Sequence, residues 1–268
     1  MDKPRIRCEI RDGIAEVMLT RGDKLNALDR AMFGAIDETL NQLERQKGLR
    51  AVILHGEGRA FCAGLDVKSM LRQPVAALEI LRREADEATN LAQRVAYGWH
   101  QLPVPVIAVT QGVCFGGGLQ IALGADFRFS TPDCRFSVME IKWGIIPDMS
   151  GSVTLRNLMG VDVAMELAMS GRELDAQEAR ALGLVSRVCE DPLDAAREFA
   201  RTLITKSPDA LAGIKQLYHQ AWARSDEVML KEETCLQQQI LGRPNQWRAT
   251  LNSLFRWRLP FGPRRNAL

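Results

Sequence analysis

Histidine is scarce: the 268 residues contain three, and none sits near enough in sequence to any of the six cysteines to suggest zinc. No Cys-x-x-Cys spacing occurs, so Cys8, Cys62, Cys114, Cys134, Cys189 and Cys235 read as reduced, mostly buried thiols. A Gly-x-Ser-x-Gly elbow is missing, and His55, His100 and His219 lie in unremarkable contexts, which argues against a serine triad. An excess of one charge is missing too. Basic and acidic residues number 35 and 33, a net charge of +2, and no basic stripe is interleaved with aromatics, so no nucleic-acid partner is expected. Arg256, Arg258, Arg264 and Arg265 gather at the end, where they either meet phosphates or form a solvated tail. Long apolar runs are absent: nothing approaches the length that crosses a bilayer, and Asp2, Lys3, Arg5 and Arg7 have no apolar core behind them. The expectation is a chain with no membrane partner and a cytoplasmic location.

What is present is an ordinary globular balance, 46% hydrophobic and 25% charged, in a length that buries a sizeable core. Residues 6–10 and 14–20 alternate around Arg11-Asp12-Gly13, a hairpin signal. After a loop at 21–28, Asp29 is placed to cap a helix whose Met32, Ile36, Leu40 and Leu43 recur at helical spacing. Strands are expected at 49–54, 104–110 and 126–130, with a long amphipathic segment from about 74 to 100. Strand and helix alternate through the first two-thirds, which argues for an α/β fold. The last third reads as helical: Asp175-Ala-Gln-Glu178 has capping-box spacing, Ser207 precedes a first-turn proline, and residues 226–241 lack Gly and Pro. Units ending at Gly56, Gly112 and Thr131 read as turns of one strand-helix spiral.

Residues 112–124, Gly-Val-Cys-Phe-Gly-Gly-Gly-Leu-Gln-Ile-Ala-Leu-Gly, place three adjacent glycines between a β-branched strand and a helix. There is no Gly-Lys-Ser/Thr ending, and the spacing does not match the dinucleotide fingerprint. Glycine permits close approach of backbone to a ligand, and the first amides of a helix lack internal partners, so the junction can hold an oxygen that becomes an anion. A tight turn packed for steric reasons is the alternative. Ala60-Phe-Cys-Ala-Gly-Leu-Asp66 forms a second strand-to-helix junction.

With both junctions in view, the chain resembles the enoyl-CoA hydratase/isomerase (crotonase) family. The matching stretches are Lys24-Leu-Asn-Ala-Leu28, Ala60-Phe-Cys-Ala-Gly-Leu-Asp66, residues 112–120 and Met139-Glu-Ile-Lys-Trp-Gly-Ile-Ile-Pro147, with weaker agreement through Phe255-Arg-Trp-Arg-Leu-Pro-Phe261. The resemblance implies a ββα spiral with a helical C-terminal region, divided here as 1–195 and 196–268, the latter serving assembly and pocket cover. It also implies a homotrimer or homohexamer, and an acyl-CoA thioester substrate whose coenzyme A is the only cofactor-like group; no metal is expected. The thioester oxygen would rest on the amides of Leu65 and Gly117. Lys24, Ala27, Ala63, Gly64, Asp66, Lys68, Gly116 and Arg258 would line the substrate site. For Lys24 and Lys68, solvated surface positions are the alternative.

Family hydratases carry two glutamates where this chain has Gln120 and Glu140. Gln120 cannot shuttle a proton, and one helical turn beyond Gly117 it is expected beside the thioester, orienting it or a water. Glu140 can move a proton between C2 and C4 of an enoyl thioester, which is double-bond isomerisation. Asp148 matches the position of a second acid in dienoyl-CoA isomerases and of the nucleophile in a crotonase-type dehalogenase, although neither subgroup is matched fully. It either assists or caps a helix beginning near Ser150. Hydration and a non-catalytic acyl-CoA binder stay as alternatives.

Overall fold

Asp12 and Gly13 both take positive φ, 51° and 80°, so β1 (Ile6–Arg11) turns straight back as antiparallel β2 (Ile14–Leu19). The structure, a computed structural model, describes residues 3–72, 74–83, 85–221 and 224–265. β3 (Ala51–Gly56), β4 (Val106–Thr110), β5 (Val113–Phe115), β6 (Phe127–Ser130), β7 (Arg135–Ser137) and β8 (Arg187–Val188) follow. β3, β4, β6 and β8 extend β2 in parallel, in the order β1-β2-β3-β4-β6-β8, while β5 pairs with β7 in a smaller sheet. A bridge from Cys62 to Cys114 and another from Phe136 to Leu174 widen that second layer. Each turn of the chain thus lays one strand in the large sheet and a short one in the small sheet before a helix returns, the expected ββα spiral.

Helix Arg30–Arg45 starts where Asp29 accepts the Met32 N–H at 2.8 Å, and buries Met32, Phe33, Ile36, Leu40 and Leu43 along one face. Those side chains share a core with Val95 and Trp99 of helix Leu91–Gln101. Full burial of each such side chain contributes about 1.5–3 kcal/mol. The expected segment at 74–100 is two helices, Pro74–Glu79 and Leu91–Gln101, because Asn90 and Gln93 form a capping box that starts the second one afresh. On the opposite face of the sheet, Ala196 and Ala200 of helix Pro192–Ile204 cover Ala51, Ile53, Ile107, Val109 and Phe129. The expected division between residues 195 and 196 falls inside this helix, which packs as part of the spiral; the separate helices begin at Pro208–Gln216, capped by Ser207.

All six cysteines are free, and Cys62, Cys114 and Cys134 are buried. Burial pushes the Cys62 and Cys134 thiols up to about 12, which keeps them protonated packing groups. Among the described residues no helix is long and apolar enough to cross a membrane.

The C-terminal helices join the spiral through a buried polar knot around Asp126. Its Oδ2 accepts the Val106 N–H at 2.7 Å and lies 2.8 Å from Lys215 Nζ, which also donates to the carbonyls of Trp99 and Val104. His219, in the π-helical turn Leu217–Ala221, brings Nε2 to 3.0 Å from Asp126 Oδ1 and stacks on His100 with centroids 3.6 Å apart. Two histidines that look unremarkable in sequence are therefore the ends of one contact, 119 positions apart along the chain (219 − 100).

Burial, reinforced by nearby His219 and Lys215, lowers His100 from 6.5 to about 3. The unfolded chain takes up a proton near pH 6.5 that the folded one refuses until about 3, so the stability held by this group is complete above pH 6.5 and is lost as pH falls. Urea unfolding at about pH 7.5 and about pH 5 is expected to differ by about 2 kcal/mol from this residue. His100→Asn should remove that part of the difference; an undiminished difference would count against the neutral buried imidazole.

Candidate active site

Gly116, Gly117 and Gly118 are glycines for three separate reasons. Gly116 sits at φ 49°, ψ −123°, a conformation closed to side chains, and a Cβ there would stand 3.4 Å from Glu140 Oε1. At Gly117 a Cβ would meet Met149 Sδ at 2.7 Å, and at Gly118 it would meet the Cys62 carbonyl at 2.5 Å. The run lets helix Gly117–Leu123 press against the strand carrying Cys62 while leaving the space before Glu140 open. Gly116 N–H is taken by the Ser137 carbonyl at 2.9 Å; Gly117 N–H has no acceptor among the described residues.

The second junction runs alongside. Cys62 N–H donates to Val113 and its carbonyl accepts from Phe115, at 3.1 and 3.0 Å. Gly64 has φ 85°, and a Cβ on it would lie 2.8 Å from the Phe115 carbonyl and 3.5 Å from Gly117 N. On the other flank, Leu28 donates to the Gly64 carbonyl at 2.8 Å and accepts from Asp66 N–H at 3.0 Å. In a parallel bridge of this kind the residue between the two bonded neighbours points its own N–H away from the partner. That residue is Leu65, whose N–H has no acceptor among the described residues. Two free amides thus belong to backbones in contact, Leu65 on one and Gly117 on the other.

Glu140 opens the 3₁₀ turn Glu140–Trp143 and is 6% exposed. Gln120 Nε2 donates to Glu140 Oε1 at 2.6 Å, while Gln120 Oε1 accepts the N–H groups of Met149 and Gly151, each at 2.9 Å. Two backbone donors on one atom require it to be the oxygen, which leaves the amide nitrogen facing Glu140. Its carbonyl is thus committed to the 149–151 turn, and its amide nitrogen holds Glu140. Glu140 Oε2 is buried without a partner. Burial raises the Glu140 carboxyl above its ordinary range, its own backbone N–H and Gln120 pull the other way, and the charge of Asp148 adds to the rise.

Asp148 is half-buried, and burial raises it too. It is not a helix cap: Gly151–Leu155 begins after Ser150, in the left-handed region at φ 70°, with no side-chain cap bond. The loops bring Ala27, Ala63, Gly64 and Gly116 together through Ala63 N–H to Leu25 (2.9 Å) and the bridges above. Lys24 and Lys68 stand exposed nearby in sequence. The Asp66 carboxylate is occupied, Oδ2 lying 2.8 Å from Arg21 Nη2 and Oδ1 accepting Ser69 N–H at 3.0 Å, so it serves the loop. Among the described residues no hydrogen bond or ion pair ties Arg258 to the junctions.

A family model described as enoyl-CoA hydratase/isomerase matches residues 9–246. The chain is 31% identical over 258 residues to the 1,2-epoxyphenylacetyl-CoA isomerase of Escherichia coli K12, covering 95% of this chain and 97% of that protein. Among solved structures it resembles an enoyl-CoA hydratase from Bacillus anthracis (TM-score 0.87, 25% identity, 96% of this chain and 98% of that one). A second, from Polaromonas sp. JS666, gives a TM-score of 0.85 at 27% identity, over 96% and 99% of the two chains.

Gln120→Met keeps the volume and removes every polar contact of the amide. It is expected to orphan the N–H groups of Met149 and Gly151 and destabilise the fold by roughly 2–6 kcal/mol in chemical unfolding. Because Gln120 favours the ionised form, a ¹³C carboxyl titration should also find Glu140 shifted further upward. An unmoved titration would show that Gln120 does not hold Glu140.

Proposed function

The chain belongs to the enoyl-CoA hydratase/isomerase family, and on that footing we propose that it is an acyl-CoA isomerase that shifts a double bond through a thioester enolate. The observation that carries this reading is the 2.6 Å hydrogen bond from Gln120 to Glu140. A neutral amide stands where a second glutamate would, and it is spent on holding the first.

The thioester oxygen is received by the N–H groups of Leu65 and Gly117. Glu140, as carboxylate, takes a proton from C2 of a 3-enoyl thioester; the C–H electron pair moves into C1–C2 and the carbonyl pair onto oxygen, giving a dienolate. Each such donor is typically worth about 10²–10³ in rate. Protonated Glu140 then returns the proton to C4, leaving the double bond at C2–C3 and the carboxylate regenerated. The unpartnered Oε2 is the oxygen free to do this. A carboxyl raised by burial is a better match to such a carbon acid than an ordinary one. Lys24 and Lys68 offer point charges to the coenzyme phosphates beside Ala27, Ala63, Gly64 and Gly116, with Arg258 as a further cation. Asp148 assists.

Similarity to a 1,2-epoxyphenylacetyl-CoA isomerase supports the coarser reading of an acyl-CoA isomerase; that name concerns an epoxide and not a 3-enoyl double bond. Hydration of a 2-enoyl thioester is the second reading, favoured by one observation: Asp148 lies close enough to raise Glu140, so a second acid is available to activate water. A homotrimer or homohexamer in the cytoplasm is proposed as well. Ile141, Trp143, Ile145 and Ile146 beside Glu140, with Val161, Met165 and Met169 on helix Val161–Ser170, are exposed apolar groups of the kind an assembly covers.

Conjugated thioesters absorb in the ultraviolet, so the purified protein is to be given a 3-enoyl-CoA and its 2-enoyl isomer in parallel. Rising absorbance from the first is expected; falling absorbance from the second would replace isomerisation by hydration. Glu140→Gln should lower turnover by about 10²–10⁴-fold while acyl-CoA binding persists. Loss of binding with turnover would make Glu140 structural.

A further inference from the structure

Leu65 contributes a backbone N–H, which no substitution short of proline can delete. The elements that aim it are side chains, and they converge on Arg21. A trans peptide is planar, so the N–H of Leu65 points opposite to the carbonyl of Gly64. That carbonyl is held by Leu28 N–H at 2.8 Å, and the following residue is held by its own N–H on the Leu28 carbonyl at 3.0 Å. The direction of the amide is therefore set by Leu28 on one side and Asp66 on the other.

Arg21 grips both. Its side chain is 13% exposed, and its guanidinium donates from Nη1 to the Ala27 carbonyl at 2.8 Å, next to Leu28. Nη2 lies 2.8 Å from Asp66 Oδ2, next to Leu65, and Nε lies 3.4 Å from Asp29 Oδ2. Its backbone closes the same loop: the N–H donates to Asn26 Oδ1 at 2.9 Å, and the carbonyl accepts from Lys24 and Asn26 at 3.0 and 2.9 Å. Leu25 and Asn26 are both left-handed, at φ 52° and 54°, a conformation non-glycine residues keep only when their surroundings impose it. Asp29 is itself anchored by Arg5 and by Met32 N–H, so the grip rests on a helix start.

We infer that Arg21 is a positioning residue for the enolate-stabilising amide: its planar fork, spanning Ala27, Asp29 and Asp66, locks the Lys24–Leu28 loop to the 63–66 segment and thereby aims the Leu65 N–H. This rests on the reading of Leu65 and Gly117 as the pair that receives the thioester oxygen. A lysine in its place carries the charge as a single point and cannot reach three acceptors in one plane. Asp66 belongs to the same device; its carboxylate is the far end of the fork.

The test compares wild type, Arg21→Lys, Asp66→Asn and the double variant, each bound to a 2-enoyl-CoA, by infrared difference spectroscopy of the thioester carbonyl, together with kcat and KM on a 3-enoyl-CoA. Asp66→Asn keeps the side-chain volume and an oxygen for Ser69 N–H, so it carries the test if Arg21→Lys fails to fold. The wild-type carbonyl is expected at lower frequency than in water. In the variants it should move back toward the free value, with kcat lower by about 10–100-fold and KM within about threefold. The double variant should be no worse than the poorer single one, because both cut the same link. Folded variants with wild-type carbonyl frequency and kcat overturn the inference, as does a loss confined to KM. Absence of any shift in the wild type overturns instead the oxyanion reading on which it rests.

Discussion

Close backbone approach between consecutive turns of the spiral governs the rest of the site. The strand through Cys62 and the start of helix Gly117–Leu123 lie so near each other that one methyl group at Gly118 would collide with the Cys62 carbonyl at 2.5 Å. That nearness puts amides from separate turns side by side, and it explains why glycines stand at 64, 116 and 117, the first two at positive φ. It also removes space for side-chain donors. On the proposed reading, stabilisation of charge falls to the main chain, and side chains are left to aim it.

Around that junction the buried polar groups divide by whether they are satisfied. Asn26, fully buried, gives its amide to the Glu57 and Ala60 carbonyls and its oxygen to Arg21 N–H. Gln120 is similarly committed, and Arg128 donates to the carbonyls of Leu184 and Ala125. These groups act as struts. Against that background Glu140 Oε2 and Ser150 Oγ are buried oxygens with no partner among the described residues. An unsatisfied carboxylate oxygen costs free energy that folding would not accept without return. Here the return is a base whose proton affinity is raised where carbon chemistry is proposed.

Features set by near neighbours were legible in the chain itself. Asp12-Gly13 made its hairpin, Asp29 and Ser207 capped their helices, and the glycine run stood at a strand-to-helix junction because no other residue fits there. Strands β5 and β7 were not legible, since three residues carry no period and their pairing comes from the partner strand. The orientation of Gln120 was hidden for another reason: it is decided by backbone donors at 149 and 151, and helix position alone pointed it at the ligand. Asp66 read as a pocket acid because its motif says nothing of Arg21, which reaches it across the fold. The break between 80 and 91 did have a local signal, Asn90 followed by Gln93, concealed by the amphipathic pattern on either side.

The spiral has a consequence for the life of the chain before it is finished. Leu65, Gly117 and Glu140 each lie on a different winding, and in the small sheet these windings meet through the pairing of Cys62 with Cys114 and of Cys114 with Phe136. Parallel strands pair only after a crossover has closed, and such long-range closures are the slow events of folding. A growing polypeptide released at half length carries Leu65 and Gly117 but not Glu140. On the proposed reading it holds both amide donors and lacks the proton acceptor. On that reading the proton acceptor is the last part to arrive, with the third winding.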